Sequence, residues 1–544
     1  MDREMEVILL MPLLFISTML VLLFSTMNTS KTKKREHGST ASLPLPSAPP
    51  SMPIIGPLVW LVRSRTRLEP AIRELHRRYG PILSITFLSP RPAIFLSGGA
   101  ITHRALVQQG HMLASRPPAI APFLVLTSGQ FTISSAPYGP LWRSLRRNLT
   151  SGLLHPSRVP LYAPARRWAI SLLMDELASS PGNKGSAAGV SVVDCLQFAM
   201  FSLLTYMCFG KRLERRRVRE IEAVQRELFS SYISFQVFAF CPAVMRRLFF
   251  RRWRKVLSIR RRQEELFLPL IIERKKRISM ACGDDEDSLV YCYVDTIISH
   301  KLPKEAGERQ LTDGEMVSLC TEFLTASVDT TVTALQWIMA YMVRQPEIQA
   351  KLLDEINDVV SSDKEHVAEE DMKAMPYLKA VVLEGLRRHP PAHFLLSHAA
   401  VEETSLDGLR IPVGRSVNFS VADVGLDENV WNRPVEFLPD RFLNGGEGVG
   451  VDLTGSREIK MMPFGVGRRI CPGLGLALLH LQYFVANMVR EFEWGMVGGE
   501  DGGGINLAER PEFTVTMEQP LRALVVPRRE APAMPRQARS MHEV

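Results

Sequence analysis

Fourteen residues from Met462 to Gly475 read M-P-F-G-V-G-R-R-I-C-P-G-L-G and carry the best candidate for chemistry in the chain, Cys471. A free cysteine is most often a small buried hydrophobe, and ordinary core packing is the alternative for this one. Its neighbours argue otherwise. Gly465 and Gly467 permit backbone angles and close approaches that a side chain forbids. Arg468 and Arg469 set positive charge beside the sulfur, which favours the thiolate. Pro472 suits the first turn of a helix, and the apolar spacing of Leu474, Leu476, Leu478, Leu481, Phe484 and Val485 continues one. Cys471 then stands at a helix N-terminus, where the dipole also favours negative charge. A thiolate in a glycine-lined pocket is what a metal or a haem iron takes as an axial ligand.

F-G-V-G-R-R-I-C-P-G resembles the haem-binding loop of the cytochrome P450 enzymes, the haem-thiolate monooxygenases. The resemblance implies that Cys471 is the axial ligand of the iron of haem b. It implies that Phe464 packs near the sulfur, that Arg469 pairs with a haem propionate and that Gly473 lets the backbone approach the porphyrin.

Other stretches must position such a centre. Y-G-P-L-W-R-S-L-R-R starts a helix at 138–147, with Trp142 and Arg146 one turn apart. Such a pair predicts an Arg lying over an aromatic face, and in the family the two bind a propionate. Residues 313–344 form the longest helical pattern, closed by Pro346. Its middle, T-A-S-V-D-T-T, places poor helix formers at Asp329, Thr330 and Thr331. It is similar to the family pattern on the helix that crosses above the haem, with Ser327 for the usual Gly. The resemblance makes Thr330 and Asp329 the proton-delivering pair. Glu384 and Arg387 share a helix face, an arrangement that is common and weak when exposed, and Arg388 is an equal partner for Glu384 by spacing. The segment F-L-P-D-R-F at 437–442 matches the family's next motif, with Asp440 for Glu. There Glu384, Arg387 and Arg441 form a buried structural network. His398 matches a propionate contact, and Ser397 stands where relatives carry Pro.

Composition agrees with an enzyme of this kind. The 544 residues, 46% hydrophobic and 23% charged, suffice for a sizeable globular core. The net charge of +9 comes without zinc-finger spacing or a basic-aromatic repeat, so nucleic acid is not an expected partner. Seven scattered cysteines point to reduced thiols rather than a disulfide framework.

Along the chain, residues 1–30 are expected to be a membrane anchor. The apolar run 7–27 has spanning length, Asp2, Glu4 and Glu6 precede it, and Lys31, Lys33, Lys34 and Arg35 follow, which puts the rest in the cytosol. Its length and acidic start oppose a cleaved signal peptide. Residues 31–57 make a basic, Pro-rich hinge, 58–528 the catalytic domain and 529–544 a polar, disordered tail. Helical spacing runs over 68–78, and strands are expected at 82–87 and 92–96 around Ser89-Pro90-Arg91. Residues 119–135 are apolar without a clear period; they resemble the family's variable loop over the substrate pocket, and a plain buried loop is an equal alternative. Residues 200–277 are helical and basic, with aromatics among arginines that suit a membrane surface. Residues 283–287 form an acidic loop, 445–450 and 498–504 flexible loops, and 513–517 a late strand bordering the pocket.

The fold implied is the mainly α cytochrome P450 fold, a large helical haem domain with a smaller β-rich region behind one transmembrane helix. The runs L-T-G-S-R-E-I-K-M-M-P-F-G and V-V-L-E-G-L-R-R-H-P-P-A-H-F-L-L are similar to the plant microsomal A-type enzymes, in their eighty-ninth numbered family. The activity implied is insertion of one oxygen atom into an apolar small molecule at the endoplasmic reticulum membrane. Electrons would come from NADPH through NADPH-cytochrome P450 reductase, steered by Arg143, Arg147, Lys460 and Arg468. Two alternatives are a reductase-independent haem-thiolate isomerase or dehydratase, which needs no Asp329–Thr330 relay, and a non-catalytic haem- or ligand-binding protein.

Overall fold

The structure is a computed structural model that describes residues 43–47, 68–85, 92–180, 189–239, 242–280, 291–304, 307–498, 504–511 and 513–528. The expected anchor and hinge up to residue 42, the Ser89-Pro90-Arg91 turn, the 283–287 loop and the 529–544 tail lie outside the described residues.

The organising element is the helix Asp313–Arg344. Thr312 caps it: its hydroxyl accepts from the Glu315 amide at 3.2 Å, while Glu315 accepts from the Thr312 amide at 2.8 Å. Thirty-two residues span about 48 Å, enough to run through the molecule. From Thr331 to Val343 every residue is buried, so this half touches neighbours on all sides. Those neighbours are Val192–Phe209, Pro376–Arg388 and Leu474–Glu491. The crossing with Pro376–Arg388 is tight at Gly385, where a Cβ would stand 2.4 Å from Cγ1 of Ile338. Val192–Phe209 is long and apolar enough to cross a membrane, yet it is a buried core helix.

A four-stranded sheet flanks the helices in the order Ile82–Ile85, Ala93–Leu96, Ser416–Phe419, His398–Ala399. Ala93–Leu96 pairs antiparallel with the first strand and parallel with the third, Ile94 opposite Val417. Both expected early strands are therefore present, the described first strand ending at Ile85. The helix expected at 68–78 runs Leu68–Tyr79.

One expectation needs correction. Residues 119–135 are not all loop: Ala121–Leu126 is helical, nucleated by Pro122 in its first turn. Residues 200–277 are mainly helical as expected, in pieces of four helices, Val192–Phe209, Arg215–Phe235, Pro242–Leu248 and Phe250–Met280. The first break is Gly210, which takes the left-handed conformation (φ 68°) and accepts no continuing helix. Residues 445–450 form the expected loop as successive turns, with the Gly448 amide donating to the Arg441 carbonyl at 2.8 Å. The late strand forms over Val515–Met517 and pairs with Glu509–Pro511.

Candidate functional site

Cys471 sits in a loop shaped by its glycines. Gly465 and Gly467 adopt φ of 67° and 70°. A Cβ on Gly467 would fall 2.0 Å from the Leu106 carbonyl oxygen, so no other residue fits. The Cys471 amide donates to the Phe464 carbonyl at 2.8 Å, which folds the loop under the sulfur. The following helix is Leu474–Glu491 with Gly473 as N-cap. Cys471 thus stands at the helix N-terminus as expected, while Pro472 lies just ahead of the helix rather than in its first turn. Burial pushes the Cys471 thiol up, opposed by a hydrogen bond from the Gly473 backbone and by the Arg146 cation. The expected cations act elsewhere. Arg468 donates to the Tyr138 hydroxyl at 2.6 Å, and Arg469 is taken by carbonyls.

Beside the Cys471 loop lies a knot of half-buried arginines, Arg116, Arg146 and Arg469. Arg469 donates to the carbonyls of Ala114 (2.7 Å), Ile133 (3.1 Å) and Ala136 (2.7 Å). Its guanidinium lies 4.4 Å from the Trp142 ring centre. The Arg over Trp142 is therefore Arg469, the expected partner Arg146 carrying its charge toward Cys471 instead. Trp142 Nε1 donates to Ile133 O at 3.1 Å. Arg116 donates to the carbonyls of Ser134, Leu396 and Ser397. Burial lowers Arg116 to about 10, and burial with repulsion from Arg116 and Arg146 lowers Arg469 to about 9. His398 is buried, its Nδ1 2.7 Å from Leu113 O, and burial lowers it to about 3. Three arginines that repel one another inside a protein call for anions. A macrocycle with two carboxylates and a metal that takes a thiolate fits this donor set.

On the Asp313–Arg344 helix, Ala326 is exposed and Thr330 half-exposed although Leu324 and Val328 are buried, so neighbouring elements leave this stripe uncovered. Thr330 donates to the Ala326 carbonyl at 2.7 Å, and Thr331 to Ser327 O at 2.8 Å. Ser327 donates to Phe323 O at 2.5 Å, the back-bond expected of a Ser there. Asp329 precedes Thr330 on a partly buried face.

Elsewhere in the core, Glu384, Arg387 and Arg441 meet with at most 5% of any of them exposed. Arg387 grips both oxygens of Glu384 at 2.7 and 2.8 Å, and Arg441 Nε reaches Oε1 at 3.1 Å. Arg387 also donates to the carbonyls of Gly425 and Pro434. Arg388 turns away to Val435 O, which removes it as a rival for Glu384. Asp440 faces Lys351 at the surface.

Sequence reasoning missed Arg116, Glu322 and a ring cluster. Arg116, in R-P-P, and Glu322 carry no signature that separates them from surface charges; only tertiary burial does. Phe123, Tyr232, Phe229 and Phe513 come together with ring centres 4.5–5.3 Å apart. They bring the 119–135 segment, the Arg215–Phe235 helix and the late hairpin to one point.

Comparison with known proteins follows the same lines. The family model described as Cytochrome P450 matches residues 46–519. The chain is 43% identical over 495 residues to Cytochrome P450 89A9 of Arabidopsis thaliana, covering 89% of this chain and 94% of that one. It is 28% identical to Indolin-2-one monooxygenase of Zea mays, covering 96% and 95%. A zebra fish cytochrome P450 structure with abiraterone superposes with a TM-score of 0.68 at 22% identity, covering 85% of this chain and all of that one.

Proposed function

The chain belongs to the cytochrome P450 family and is an oxidoreductase of the monooxygenase class, and from that premise we propose how its residues divide the work. The observation that carries the reading is the pairing of a cysteine loop with a knot of half-buried arginines and a hydroxyl-bearing helix. Haem is the cofactor the family implies. When bound, it supplies the iron at which dioxygen is reduced and one atom passed to substrate.

Cys471 would hold the iron as a thiolate. Trp142, Arg146, Arg469, His398 and Arg116 would hold the carboxylate edge, and Phe464 and Gly473 would shape the loop. Arg146 raises the thiolate's stability directly, since it is the cation that acts on Cys471. On the other side, the Thr330 hydroxyl spends its proton on Ala326 O. Its lone pairs are left to accept from a water, which it holds in place. Asp329 passes protons toward that water from solvent. Glu384, Arg387 and Arg441 act on structure alone.

The substrate is an apolar small molecule bounded by the Phe123–Tyr232–Phe513 rings, and stacking favours a flat or aromatic one. The electron donor is NADPH through a membrane flavoprotein reductase. The enzyme sits on the endoplasmic reticulum by one N-terminal span, its 58–528 catalytic domain in the cytosol.

The test is spectral and kinetic. The reduced carbon monoxide complex should show the strongly red-shifted Soret band of thiolate ligation, and Cys471→Ser should lose it, because a neutral alcohol donates far less charge. A mutant that keeps the band would show another ligand. Product that forms from a hydroperoxide without reductase would instead favour the isomerase alternative.

A further inference from the structure

Glu322 lies on the Asp313–Arg344 helix one turn before Ala326, and no role above uses it. Its carboxylate accepts two backbone amides, Ile133 N at 2.8 Å and Ser134 N at 2.6 Å. The carbonyls of the same two residues face the other way. Ile133 O takes Trp142 Nε1 and Arg469 Nη1, each at 3.1 Å, and Ser134 O takes Arg116 Nε at 2.8 Å. Two consecutive residues thus stand between one carboxylate and three side chains of the carboxylate-binding knot. The Ser134 N–H and the Ile133 C=O belong to one peptide group, so the carboxylate at that amide strengthens Ile133 O as an acceptor, while its hold on both amides fixes where Ser134 O points. Glu322 is also the negative group that acts on both Arg116 and Arg469.

We propose that Glu322 is a positioning residue for the cofactor: through the 133–134 backbone it sets Trp142, Arg469 and Arg116 against the haem carboxylates and balances part of their charge. The proposal rests on the haem reading above. It makes the distal helix and the haem edge one mechanical unit. Ala326 and Thr330 lie four and eight residues along the same helix, so the grip on the carboxylates and the distal pocket share a reference point.

The experiment uses the full-length holoprotein and two readouts besides turnover. Haem transfer to excess apomyoglobin should be about tenfold faster in Glu322→Gln, since the amide offers one acceptor where two are needed. Loss of a negative charge near the iron should move the ferric/ferrous midpoint to more positive potential. Glu322→Asp keeps the charge but shortens the reach. Its potential should stay near wild type while haem leaves at least threefold faster, and this variant decides the matter if Glu322→Gln does not fold. In an Arg116→Gln background, Glu322→Gln should add less than its own separate effect, because its partner is gone. Variants that match wild type within twofold in release and in potential would overturn the role. A wild type that takes up no haem would overturn the proposed function itself, a different failure with a different signature.

Discussion

Ser327, Thr330 and Thr331 each give their hydroxyl proton to the carbonyl four residues back, all within two turns of one helix. Such back-bonds replace the relaxation that the family's Gly offers at 327, while the element stays α-helical from Asp313 to Arg344. A Gly there would cost roughly 0.5 kcal/mol of helix stability relative to Ser, a sum the surrounding packing can carry. Ser327→Gly should therefore fold, bind haem normally and release the same or less hydrogen peroxide per NADPH. Thr330→Ala removes the acceptor that holds the water. Product per NADPH should fall roughly tenfold and peroxide rise, with haem content unchanged. That is below the ~10²–10⁴ of a positioned proton donor, because other water can enter the space. Equal product and peroxide yields in Thr330→Ala and wild type would show the relay to be misassigned.

At the level of elements, Glu384 ties the Pro376–Arg388 helix to the 438–441 segment, since Leu438 N and Arg441 both reach it. Removing Arg387 leaves a buried carboxylate with too few partners, a loss of about 3–5 kcal/mol. Arg387→Ala should accumulate as haem-free or aggregated protein, while Arg388→Ala, at a half-buried arginine outside the network, should keep wild-type haem content and nearly the wild-type melting temperature. A soluble Arg387→Ala with full haem would remove the network from the structural role. The elements that the sequence made legible were those with local signals. Pro346 closed the long helix, expected and found over 313–344, and the glycines of the Cys471 loop marked its turns. What stayed hidden depended on tertiary contacts. Arg146 and Arg469 both lie within reach of Trp142 or Cys471 by spacing, and only packing assigns Arg469 to the ring and Arg146 to the sulfur. The 119–135 segment has no period because scattered side-chain bonds, internal and tertiary, order it rather than a repeating backbone ladder. Gln130 bonds Ala119 N, Pro117 O and Ser135 O, Arg260 donates to Ser128, and Glu322 takes two amides. Ser128 and Gln130 even hold positive φ, 49° and 69°, which such pinning sustains.

For the whole molecule, the net charge of +9 matters most where it is exposed near the cysteine loop. Arg143 and Arg468 are exposed and flank Tyr138, each 5.6 Å from its ring centre, and Arg147 is exposed on the same helix as Arg143. Lys460 differs. Its ammonium donates to Glu447 O at 3.1 Å and lies 3.5 Å from Glu458, so its field is largely spent locally. An acidic flavoprotein approaching this face would be steered by the arginines over about one Debye length, ~8 Å at physiological salt. Reversing them should slow encounter without touching the chemistry. Arg143→Glu and Arg147→Glu should each raise the KM for reductase by roughly three- to tenfold at low salt, with kcat at saturating reductase nearly unchanged. The gap to wild type should close as salt rises. Lys460→Glu should shift KM by less than either. Stopped-flow reduction of the haem at two ionic strengths measures this, with the carbon monoxide spectrum as the check that each variant is intact. If the arginine variants keep both the wild-type KM and its salt slope, electrons enter from another face. If Lys460→Glu alone changes them, the reductase reads the Glu447–Lys460 corner instead, and the arginines serve only to clasp Tyr138.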